Sequence, residues 1–243
     1  MKYLLFVFLF VFVLHPMPAN ADWIDDAKEK AEKELEPLVG DIGAGLAGGL
    51  YSTNSSINFP GLEAGVKFSL AGVSDDNNLI TEDKIIIPWI HAGAALPFKT
   101  SIFLRGFSYN IADSDSKITL LGGGIKYSII ESKLVSPLPG LQAIIAYNMM
   151  EVSDLNINTT TIGLTADKKL PFMKPYIGIS YDMTKSEIKA GTQTLEPKNN
   201  SMRIGGGAEI NPFPLVYVNA GVDLIQENTN WEIGTGLRLN IPF

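Results

Sequence analysis

Charged side chains set in the middle of apolar, strand-like stretches are the residues of this chain that could do chemistry. Glu63, Lys67, His91, Lys126, Asp182, Arg203, Glu209, Asp223, Glu232 and Arg238 each have an aliphatic or aromatic residue on either side, and Asp167 closes another such stretch. Burying one of these ions in a dry core costs several kcal/mol even after relaxation, so they demand either partners or water. Two uses follow. They pair and seal a narrow interior, or they line a path for a small solute, with Lys67, Lys126, Arg203 and Arg238 facing Glu63, Asp182, Glu209 and Asp223.

Other constellations are thin. His91 is the one histidine after His15; with no serine or aspartate assigned as its partner it is expected to be structural, and the chain is not expected to be an enzyme. Asp75-Asp76 and Asp113-Ser-Asp115 read as solvated turns before they read as cation sites, so neither metal nor cofactor is expected. Gly43, Gly45 and Gly48 spell G-x-G-x-x-G, but that fingerprint needs a βαβ setting that is missing here. Small residues at this density suit a segment threaded close against other backbone.

The charges sit on strands of period two. Leu62, Ala64, Val66, Phe68 and Leu70 alternate with Glu63, Gly65, Lys67 and Ser69, and Trp231 through Leu239 alternate with Glu232, Gly234, Gly236 and Arg238. The same rhythm recurs near residues 86–96, 121–129, 141–149, 162–167, 177–183, 202–210 and 216–224, while Ile102 to Tyr109 is apolar on both sides. Between strands, Leu96–Thr100, Ser136–Gly140, Leu170–Pro175 and Asn211–Pro214 are compact and fixed by proline. The alternate connections are polar: residues 74–83, 110–116, 151–158, 184–200 and 226–230. Short turns at one end and longer loops at the other, with the chain ending on the turn side, place Gly61 to Ala71 as the first of about ten strands, with eight to twelve as the range.

Ahead of the strands, Met1 to Ala21 has one lysine, an apolar run from Leu4 to Leu14 and a small-residue cleavage site, the form of an export signal. Its removal takes away only Lys2 and moves the net charge from −7 to −8. An acidic chain with no cysteine is a poor nucleic-acid binder and has no disulfide to staple it. Asp22 to Glu36 is expected to be a short amphipathic helix ended by Pro37, packed weakly on the periplasmic mouth or partly inside, and residues 22–58 form a plugging or periplasmic segment.

Together these features predict an all-β fold: an antiparallel up-and-down transmembrane β-barrel over residues 59–243 with a short N-terminal helix. Mid-strand charges suit a wet lumen, and apolar alternates suit lipid. The closing strand, with Leu239, Ile241 and Phe243 as a membrane-insertion signal, resembles that of bacterial outer-membrane barrels. Gly43-Ala-Gly-Leu and Gly49-Leu-Tyr51 before Gly61-Leu-Glu-Ala-Gly-Val-Lys67 are similar to an uncharacterised family of such barrels, and more distantly to the fatty-acid porins, which carry an N-terminal plug. The resemblance implies residence in the outer membrane of a Gram-negative bacterium, with lipid, lipopolysaccharide and the barrel-assembly machinery as partners. Passive passage or binding of small, even hydrophobic, solutes is the expected function. The alternative is a closed structural or surface-interaction barrel, and a lipid-modifying enzyme ranks below both.

Overall fold

A computed structural model of the chain describes residues 22–53, 57, 59–110, 117–134, 136–190, 193–225 and 228–240. The expected signal at 1–21, Asp113-Ser-Asp115, Ile241 and Phe243 lie outside the described residues. One helix, α1 (Asp22–Ala47), precedes the strands β1 (Gly61–Gly72), β2 (Lys84–Leu96), β3 (Thr100–Asn110), β4 (Lys117–Ile130), β5 (Gly140–Val152) and β6 (Leu155–Asp167). These are followed by β7 (Met173–Ala190), β8 (Gln193–Leu195), β9 (Lys198–Phe213), β10 (Val216–Ile225) and β11 (Asn228–Asn240).

Every strand pairs antiparallel with its neighbours, and β11 returns to β1 from Gly61↔Asn240 to Leu70↔Trp231. The three-residue β8 only extends the tip of β7, so ten strands close the wall. Closure removes the free edges of the wall itself, while β8 pairs on one side only.

The alternation decides which face each side chain takes. Leu62, Ile86, Leu104, Ile125, Ile145, Ile162, Ile177, Met202, Leu224 and Leu237 point out and are exposed. Their neighbours along each strand point in and are buried, most of them polar, with an apolar bed at Ile87, Trp89, Phe103, Leu120 and Ile144. Apolar side chains thus cover the outside and the charges lie inside, the reverse of a soluble barrel. Tyr217 lies wholly buried on the inner face, where its hydroxyl meets His91 Nε2 at 2.7 Å.

The proline-fixed connections β2–β3, β4–β5, β6–β7 and β9–β10 gather at the end where β1 begins and β11 finishes, the turn end. The others form the loop end. There the strands run farther than the polar composition suggests. Residues 151–158, read as a loop, reduce to a hairpin in which β5 and β6 pair as far as Val152↔Leu155, and Ser153 takes φ 51° to make the turn. Residues 184–200 are mostly strand, since β7 and β9 pair out to Lys185↔Lys198.

Candidate functional site: the filled lumen

The N-terminal segment follows the lumen axis. α1 does not stop at Pro37 but continues to Ala47. Proline removes one helical hydrogen bond, to the carbonyl of the residue four before it, here the exposed Lys33. The turns beyond Pro37 are held by packing. Val39, Ile42 and Leu46 are buried, and Ile42 and Leu46 lie against Ile87, Trp89, Leu120, Met150 and Ile157 of the inner wall. Farther in, Ala47 and Leu50 pack on Phe103, Ile144 and Ala146.

From residue 41 to residue 53 every side chain is buried. The glycines of this stretch answer to proximity. A Cβ on Gly45 would lie 2.7 Å from Ile87 Cδ1 and 3.2 Å from Ala71 Cβ. Gly49, at φ +74°, ends the helical turns in the left-handed conformation that glycine adopts without penalty.

The segment enters from the loop end. Asp41 accepts hydrogen bonds from the Ser74 amide (3.1 Å), Ser74 Oγ (3.0 Å), Asn77 Nδ2 (2.8 Å) and Asn228 Nδ2 (3.1 Å), tying α1 to two loops. Glu32 accepts from the Glu196 amide at 2.9 Å. The chain then descends past Ser69 and Lys67 before joining β1 at the turn end. Thus α1 occupies the mouth of the long connections, opposite the turn end.

Three strand cations meet the last turn of this helix and the turns that follow it. Arg105 donates through Nη1 to the Gly48 carbonyl at 2.7 Å and through Nη2 to the Leu46 carbonyl, while its Nε is held by Asn148 Oδ1 at 2.8 Å. Lys67 Nζ donates to the Gly49 carbonyl (3.0 Å), Ser52 Oγ (2.6 Å) and Thr53 Oγ1 (2.8 Å). Lys126 Nζ reaches the Tyr51 carbonyl at 2.8 Å. The last carbonyls of a helix have no partner within it and carry its negative end, so cations fit there.

The other charges pair among themselves. Arg203 contacts Asp182 (2.8 Å) and Asp223 (3.0 Å), and its guanidinium lies 4.8 Å from the centroid of the Tyr51 ring. Nearer the turn end, Arg238 bridges Glu63 (2.7 Å) and Glu209 (2.6 Å). Glu63 also faces His91 at 3.4 Å, and Lys174 faces Asp167 at 3.2 Å. Glu232 accepts from the Tyr176 hydroxyl.

The candidates Glu63, Lys67, His91, Lys126, Asp182, Arg203, Glu209, Asp223, Glu232 and Arg238 all stand buried on the inner face. Sequence reasoning missed Arg105 and Lys174. Arg105 sits in the stretch that is apolar on both sides, and Lys174 lies inside Leu170–Pro175, which reads as a turn. A signal for the helix bed was present: Ile87, Trp89, Phe103, Leu120 and Ile144 put apolar side chains on the face that carries charge elsewhere.

The sequence profile of a family of unknown function, DUF6588, matches residues 80–243. The chain belongs to that family. No curated protein sequence matches it significantly. Among solved structures, the attachment invasion locus protein Ail of Yersinia pestis, bound to sucrose octasulfate, aligns at 12% identity and TM-score 0.38, over 74% of this chain and 98% of Ail. The N-terminal β-barrel domain of Pseudomonas aeruginosa OprF aligns at 12% identity and TM-score 0.38, over 72% and 97%. The translocator domain of the Neisseria meningitidis autotransporter NalP aligns at 8% identity and TM-score 0.44, over 89% and 98%.

Proposed function

We propose that this chain is a plugged outer-membrane barrel, a conduit for small polar solutes that its own N-terminal segment shuts at rest. One observation carries the reading: residues 41–53 fill the lumen and are buried throughout. An exposed apolar exterior around a charged interior supports residence in a Gram-negative outer membrane, reached through a cleaved signal, with the turn end in the periplasm and the loop end outside. Val39, Ile42, Leu46 and Leu50 each contribute about 1.5–3 kcal/mol on burial, so the plug stays seated without a trigger. The wall closes through strand pairing alone, so withdrawal of the plug leaves it whole. A helix with its side chains is roughly 10 Å wide, and the passage vacated is of that order. Beside the apolar bed of the helix, the ions of its lining favour polar over hydrophobic solutes.

The test uses the full chain, which has no cysteine of its own. Gly45→Cys with Ala71→Cys places the two Cβ atoms about 3.2 Å apart, close to the usual disulfide spacing. In planar bilayers the oxidised variant stays silent when dilute urea is added, and the reduced one opens in steps. Current through the oxidised form would show that the path does not run past the plug.

A closed surface-interaction barrel is the second reading, favoured by the position of Lys28 to Glu36 and the long β7–β9 ribbon at the loop end. It predicts silence in both redox states.

A further inference from the structure

The lumen cations divide by what neutralises them. Arg203, Arg238 and Lys174 are outnumbered by the carboxylates they contact, Asp182, Asp223, Glu63, Glu209 and Asp167, so the positive surplus is local to the other three. Lys67, Arg105 and Lys126 have no carboxylate within 4.0 Å among the described residues; backbone carbonyls of residues 46–51, hydroxyls of residues 52 and 53 and the Asn148 amide oxygen hold them. These three are buried at 2–3% exposure, on β1, β3 and β4. Facing them, Glu232 is, among the described residues, the one strand carboxylate in the lumen with no cation within 4.0 Å, and one of its oxygens has no hydrogen-bond partner among them. The carbonyl of Leu46 at the helix end, and the carbonyls and hydroxyls of the turns after it, therefore stand in for a counter-charge. These groups occupy a place built for anionic oxygen.

We propose that Lys67, Arg105 and Lys126 form an anion site that the plug occupies in mimicry of its ligand, so that the opened barrel selects small oxyanions. The inference rests on the plugged-conduit reading and names the solute class. With the segment withdrawn, the three cations lose the partners it supplies and face Glu232 as the unpaired carboxylate. Such an imbalance in a low-dielectric channel concentrates counter-ions. Carboxylates and phosphates share the chemistry required: two or more oxygens able to accept from a guanidinium and two ammonium groups.

The experiment keeps the full chain. Gly45→Phe with Gly48→Phe gives the plug more bulk than Ile87, Ala71 and Ser69 leave room for, and leaves every strand residue and the three cations themselves unsubstituted. Heat-modifiable gel mobility checks that its barrel is closed, and urea-opened wild-type protein serves as a second form. In a tenfold potassium chloride gradient the reversal potential should report chloride over potassium by about tenfold. Adding Lys67→Gln, Arg105→Gln and Lys126→Gln should bring the ratio to near one. Inorganic phosphate and succinate are then titrated separately against the chloride current. Block by phosphate alone identifies a phosphate-type ligand, block by succinate alone a carboxylate, and block by both the shared chemistry; block by neither overturns the oxyanion class. Conductance without anion preference, or with cation preference, overturns the inference and leaves the plug intact as a reading. Silence in both opened forms removes the conduit and this site together.

Discussion

Lys67 Nζ donates to the carbonyl of Gly49 at 3.0 Å, joining the middle of β1 to the residue at which the N-terminal helix turns. The same ammonium is held by Ser52 Oγ at 2.6 Å and Thr53 Oγ1 at 2.8 Å, so it satisfies three acceptors of the segment at once. Hydrogen bonds to a charged group contribute about 1.5–3 kcal/mol. Lys67→Met should loosen the segment by that order while the wall persists. Limited proteolysis of residues 49–53 in the folded protein measures it; an unchanged cleavage rate would rule out Lys67 as an anchor.

Leu46 is wholly buried against the apolar inner wall. Leu46→Ala removes buried methyl groups, a change that costs about 2–5 kcal/mol. We expect the urea concentration that exposes the segment to fall, with the strands unfolding at the same concentration as before. Hydrogen exchange followed separately in residues 38–50 and in β1 distinguishes the two transitions. A parallel fall in both would mean that helix and wall unfold as one unit.

Arg203 is fully buried between Asp182 and Asp223, and removing one partner of a buried ionic set costs about 3–5 kcal/mol. Arg203→Met should therefore lower the thermal midpoint of the detergent-folded protein by many degrees. Lys99 and Glu131, 4.0 Å apart and about half exposed, provide the contrast: Lys99→Ala should change stability by under about 1 kcal/mol. Similar shifts for the two substitutions would contradict this ranking.

Leu104 points outward at 71% exposure from the middle of β3, where it pairs with Ala92 and Gly123. On a lipid face, arginine near the bilayer midplane costs about 2–4 kcal/mol. Leu104→Arg should impair folding into phospholipid vesicles and leave folding in detergent nearly unaffected. Equal folding in both would argue against a lipid-facing wall.

Asp41 gathers Ser74, Asn77 and Asn228 onto α1. Asp41→Ala should free the two loops, and exchange of the Ser74 amide should accelerate by at least tenfold, the equivalent of about 1.4 kcal/mol. Unchanged protection would mean that the loop holds itself.

The wall was legible in the sequence because its information is local. A period of two says which residues share a face, and the prolines of Leu96–Thr100 and Asn211–Pro214 say where the chain turns; both depend on neighbours a few positions apart. The loop tips were less so, since polar residues 151–158 and 184–200 can continue a two-strand ribbon once its partner is present. The charges were legible as a set, but not their partners: Arg238 finds Glu63 across 175 residues, a distance over which composition carries no register. The N-terminal segment depended most on the third dimension. Pro37 argues locally for a helix end, and only the apolar bed of Ile87, Trp89, Leu120 and Ile157 makes ten more helical residues, Leu38 to Ala47, worth ordering. The alternating residues of this chain determined a barrel with charge inside; closure of that barrel around residues 41–53 decided which charges meet each other and which meet the backbone, because such contacts exist only once β1 and β11 have joined.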